Sequence, residues 1–147
     1  MAVRDARPHV PSTLQARRLS AGGTPLGPVL GIWIAGYSPD AVSDVGSPGV
    51  GHVPGYGYLV TMTFGEVACS DVYGRLVRYG ADSALATAFP IDAAAGSQTQ
   101  PAVACAPDGR CLVVDAHRPD TSAKYLIRGP FVQLDRAYPP ATLNGAP

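Results

Sequence analysis

The sequence predicts an all-β chain made of consecutive four-stranded antiparallel units, and three observations carry that expectation. First, Pro48-Gly-Val-Gly-His-Val-Pro-Gly-Tyr-Gly-Tyr-Leu-Val60 recurs without a gap as Pro101-Ala-Val-Ala-Cys-Ala-Pro-Asp-Gly-Arg-Cys-Leu-Val113, an offset of 53 residues. A recurrence of that length marks one supersecondary unit used more than once. Second, the apolar residues fall in short β-branched runs bounded by turn formers, with no sustained helical period. Third, the chain has 17 glycines and 15 prolines beside 46% apolar residues, enough punctuation for many turns and enough hydrophobicity for a core.

Each unit reads as four strands. In the last unit these are residues 101–106, 110–115 and 124–134, then the equivalent of 88–92. Pro107-Asp-Gly109 is a hairpin signal, because proline presets φ, aspartate suits the next turn position and glycine accepts positive φ. In the middle unit, residues 57–63 form the second strand. Val72, Gly74 and Leu76 alternate with Tyr73, Arg75 and Val77 in a third. Residues 81–95 are alanine-rich, but Pro90 interrupts them, and Phe89 and Ile91 sit at strand spacing, so 88–92 is the fourth.

The repeat extends to the start of the chain. Residues 14–19 take the place of 71–77 and 125–132, residues 3–8 echo 114–119, and residues 22–32 parallel 80–91. Dividing 147 residues by the period gives about two and three-quarter units. The expected array is a partial unit at 1–47, a full one at 48–100, and a third at 101–147 that is incomplete at its end.

Charge excludes little. Eleven basic residues balance eleven acidic ones, and Lys124 is the only lysine. Arg4, Arg7, Arg17 and Arg18 make the start locally basic, which reads as a solvated edge rather than a nucleic-acid arm. The apolar run at 29–35 is too short to span a bilayer. No signal peptide or anchor is legible in the chain.

Pro101-Ala-Val-Ala, Cys111-Leu-Val-Val and Tyr125-Leu-Ile-Arg-Gly-Pro-Phe-Val132 together resemble a β-propeller-type repeat of large bacterial exported or surface proteins. Its pattern is roughly P-x-V-A, a hairpin, Y-L-V-V-W, a loop, then D-I-Y-G-x-x-V and a glycine turn. Asp71-Val-Tyr-Gly-Arg-Leu-Val77 and Gly22-Gly-Thr-Pro-Leu-Gly27 are similar to its last parts. Met62 and Asp115 stand where the pattern has tryptophan, and the sole tryptophan, Trp33, lies elsewhere. Relaxed selection or a local role for Asp115 is the expectation there. The resemblance implies four-stranded blades of a partial propeller and an extracellular or cell-surface location.

The cysteines follow from the hairpin. A three-residue loop at 107–109 places Ala106 opposite Arg110 and therefore Cys105 opposite Cys111, a pairing that a disulfide can bridge. Cys69 is left over. A zinc site from these three with His52 lacks any C-x-x-C spacing.

No catalytic, cofactor or metal constellation emerges. Gly36-Tyr-Ser-Pro-Asp40 lacks the last glycine of a nucleophile elbow. No G-x-x-x-x-G-K loop is present. The pairs Asp40/Asp44 and Asp115/Asp120 read as solvated turn formers, and His117 as an exposed loop histidine. The functional expectation is a non-enzymatic structural or ligand-binding module that contacts glycan or protein through loops at 35–47, 65–70 and 116–123. Tyr37, Tyr56, Asp115 and His117 are its candidate ligand contacts. A glycosidase-like hydrolase on a propeller scaffold is the alternative. Either the chain belongs to a longer array, or copies of it complete one another's blades in a homo-oligomer.

Overall fold

The computed structural model describes residues 13–34, 44–66, 69–80, 88–134 and 141–143, and among these every regular element is a β-strand. No helix among them is long and apolar enough to cross a membrane. Residues Arg4, Arg7, Tyr37 and Asp40, and most of the expected loop at 35–47, lie outside the described residues.

The strands form three antiparallel sheets. The first is a hairpin of β1 (Thr13–Leu19) and β2 (Pro25–Ile34). The second is a meander of β3 (Asp44–Val53), β4 (Gly57–Glu66), β5 (Cys69–Arg78) and β6 (Phe89–Asp92) in that order. The third contains β7 (Ser97–Cys105), β8 (Arg110–Arg118), β9 (Leu126–Arg128), β10 (Phe131–Gln133) and β11 (Ala141–Leu143). Its order is β11-β10-β8-β7, and β9 also pairs with β8. Residues 124–134, expected as one strand, are thus two short ones along β8. The break falls at Gly129-Pro130, where proline has no N–H to give the ladder and its carbonyl accepts from Val113 N–H instead.

The repeat is visible in the backbone as well as in the side chains. The register of β3 on β4 shifts between Gly46 and Gly49, and that of β7 on β8 between Thr99 and Ala102, at equivalent places. At each bulge the residue before proline takes positive φ, 45° at Ser47 and 54° at Gln100. A bulge is where a strand tolerates a proline. Both hairpins also close alike, with Tyr56 N–H donating to Val53 O and Gly109 N–H to Ala106 O, each at 3.0 Å.

Alternation along β4 and β5 sends side chains to both faces of the second sheet. Val60, Met62 and Val77 pack with Leu30 and Ile32 of the first sheet. Leu59, Val72 and Leu76 pack with Cys111, Val113, Val132 and Leu134 of the third. The second sheet is therefore covered on both sides, and its strands read as near-continuous apolar runs for that reason. Close approach of β7 is made possible by glycine. A Cβ on Gly49 would lie 2.8 Å from the Pro101 carbonyl oxygen, and one on Gly51 3.2 Å from the Cys105 sulfur.

Cys105 and Cys111 are register partners, with Cα atoms 4.0 Å apart and sulfurs at disulfide distance, 2.13 Å. Cys69 is exposed and unbonded. Non-reducing digestion and mass spectrometry of oxidised protein should recover the Cys105–Cys111 crosslink and label only Cys69. Labelling of all three thiols would refute the pairing. Replacing both cysteines by alanine should cost only about 2 kcal/mol, since the closed loop is short.

Candidate functional site

Two features stand apart from the apolar packing. The first is a buried polar seam between the second and third sheets. At offset 53, Val45, Met62 and Phe64 of the second sheet correspond to Gln98, Asp115 and His117 of the third. Both sets point toward the preceding sheet. Val45 and Met62 lie in apolar packing against the first sheet. Their counterparts bring an amide and a carboxyl into the same position, with an imidazole beside them. Gln98 is fully buried, and Asp115 and His117 are 2% and 5% exposed.

The seam is hydrogen-bonded in part. Gln98 Nε2 lies 2.8 Å from His117 Nδ1 and donates to the Ala94 carbonyl at 2.9 Å. Ser70 Oγ contacts Ser97 Oγ at 2.7 Å and donates to the Gln98 carbonyl. Neither oxygen of Asp115 has a hydrogen-bond partner among the described residues. Burial pushes the Asp115 carboxyl up to about 6; the charge of Asp92 adds to the rise, and the Arg128 guanidinium opposes it. Arg128 Nη1 is itself 3.6 Å from Asp92 Oδ2, so its charge is shared. Burial also raises Asp71 on β5, again with help from Asp92.

The second feature is an aromatic group in which His52 and Tyr79 are exposed and Tyr58 is half-buried against the core between the first two sheets. β3 and β4 bring His52 opposite Tyr58, and Tyr79 follows the end of β5 beside them. The three rings stand with centroids 5.6 to 5.8 Å apart, and Tyr58 meets Tyr79 edge to face. His52 Nε2 hydrogen-bonds the Tyr79 hydroxyl. Val50, 62% exposed, lies on the same face of the second sheet. Such tilted rings gain from their quadrupoles and hold one another in place.

The candidate contacts expected from sequence fall in different places. Asp115 and His117 are not loop residues: β8 continues to Arg118 because β7 begins at Ser97 and pairs with it. The alternation Val113, Asp115, His117 continues inward, so the charged residue does not end the strand. Tyr56 is half-buried against the core between the second and third sheets. A Cβ on Gly109 would lie 3.4 Å from its ring, so it holds the two hairpins together. Asp120 is a turn former, accepting from Ser122 and Ala123 N–H. The sequence reading missed His52, Tyr58 and Tyr79 as a group; cross-strand pairing of 52 with 58 was the available signal. Among the described residues no group of three His, Cys, Asp or Glu is placed to hold a metal ion.

No protein-family model matches the chain, and no curated protein or solved structure matches it.

Proposed function

We propose that the chain is a non-enzymatic repeat module of β-propeller type, secreted or at a cell surface, that binds a glycan. The His52–Tyr58–Tyr79 group carries this reading, with His52 and Tyr79 exposed and Tyr58 bracing them from the core side. Aromatic faces that are apolar on the body and polar at the hydroxyl suit the alternating CH and OH surfaces of a sugar ring. Their position on a sheet, braced by one another, lowers the entropy lost on binding. The register that sets Cys105 opposite Cys111 allows a disulfide, which a protein in an oxidising location would carry. Matching meanders, bulges and hairpins in the second and third sheets support a blade-like repeat.

A glycan array with wild type and Tyr79→Ala tests the reading. Binding of at least one glycan class is expected, weakened about tenfold by the substitution, which corresponds to ~1.4 kcal/mol. Absence of any glycan binding, or hydrolysis of chromogenic glycosides, would reject it.

A further inference from the structure

An exposed apolar surface lies on the third sheet, on the face opposite the one that packs on the second sheet. Leu112 (37% exposed), Phe131 and Ile127 (78% exposed) lie on it with Ala102 and Ala104. Their shared face follows from register, since Ala104 and Phe131 both oppose Leu112, and Ala102 opposes Val114. An isolated exposed leucine needs no explanation, but a contiguous set on one sheet face marks a docking surface.

The repeat says what kind of surface covers it. Leu112 is the counterpart of Leu59, which is fully buried under the third sheet. Ala102 and Ala104 are the counterparts of Gly49 and Gly51, whose small size admits β7. The outer face of the third sheet is thus the translational equivalent of a sheet-to-sheet interface already present in the molecule.

The chain carries a fitting complement at its other end. Along β1 the exposed residues Gln15, Arg17 and Leu19 alternate with Leu14 and Ala16, which pack inward. Leu19 and Val29 are exposed on that outward face of the first sheet. Ala16-Arg17 aligns with Gly74-Arg75 of β5. Arg75 donates across the sheet interface to the Ile32 carbonyl of the preceding sheet. Arg17 is exposed on the outward face in the same sense, placed to donate to a sheet docked there.

From these equivalences we propose that a second copy of this chain docks head to tail, the outward face of its first sheet covering Leu112, Phe131 and Ile127. Arg17 anchors that contact as Arg75 anchors the internal one. This goes beyond glycan binding, which uses another face and stands or falls separately. A heterologous contact of this kind closes into a ring or runs on as an open assembly.

Sedimentation equilibrium on wild type, Ile127→Arg, Leu112→Arg and Val29→Arg tests it, with circular dichroism as the check on folding. Ile127 and Val29 are exposed, so charge there leaves the fold intact even where Leu112→Arg does not. Wild type should self-associate as concentration rises, at least doubling its mass. Ile127→Arg and Val29→Arg should each be monomeric. Mixed together they should form a one-to-one dimer, because each retains one sound end. A wild type that stays monomeric at every concentration would overturn the proposal. So would association that survives Ile127→Arg, or single variants that do not pair on mixing.

Discussion

Gly49→Val is expected to be the most damaging single substitution, lowering stability by about 3 kcal/mol. Its Cβ alone would come within 2.5 Å of Thr61 Oγ1 and 2.8 Å of the Pro101 carbonyl oxygen. The first is the end of a short side chain in the paired strand. The second is backbone of β7, which can yield only if the third sheet moves off the second. The added methyls of valine have no room unless Val53, Leu59 and Val72 lose their contact with Cys111 and Val113. The control is Ala102→Val at the equivalent place in the third unit. Ala102 is exposed, so at concentrations where the chain is a monomer the change should stay within about 0.5 kcal/mol. Urea melts of both variants measure the difference. Equal effects would mean that the two sheets are not packed through Gly49.

Asp115→Met should act in the opposite direction and stabilise the chain at neutral pH by about 2 kcal/mol. Methionine is the residue the second sheet carries at the equivalent position, Met62, where it is fully buried. The sign follows from the raised carboxyl. Below about pH 4 Asp115 is protonated in folded and unfolded chains alike, so the penalty for burying its charge is absent there. Between about 4 and 6 the unfolded chain releases the proton while the folded one, titrating at about 6, retains it. Stability attributable to this group therefore falls as pH rises through that window, and the full penalty is present above it. The charges that act on it are Asp92 on β6 and Arg128 on β9, with His117 next along the same face of β8. Subtracting the urea stability of the variant from that of wild type across pH isolates Asp115 from these. A difference that grows in favour of wild type with rising pH would show a carboxylate that the seam stabilises.

The seam also separates what pattern can reveal from what packing decides. Hydrophobic patterning marks β4, β5 and β8 because neighbouring sheets cover both faces of the first two and one face of the third. It stopped at Asp115, since a charged side chain is normally held in water. Only the three-dimensional pairing of Ser97, Gln98 and Thr99 with Arg118, His117 and Ala116 carries β8 past that point. The same pairing encloses a carboxyl and an imidazole between sheets. The aromatic group was hidden for a related reason. His52 and Tyr58 are close in sequence, but Tyr79 joins them only through the register of β4 on β5.

By itself the sequence determined the all-β class, the 53-residue unit, the hairpin at Pro107-Asp-Gly109 and the opposition of Cys105 to Cys111. These depend on local dihedral preference and on a period-two pattern, both written in adjacent residues. The tertiary structure alone decided which face of each strand is covered, and by which sheet. Leu59 and Leu112 are the same residue at equivalent places in the repeat, yet one is buried and the other exposed. Burial belongs to the neighbour that excludes water, and a residue's own chemistry does not specify that neighbour.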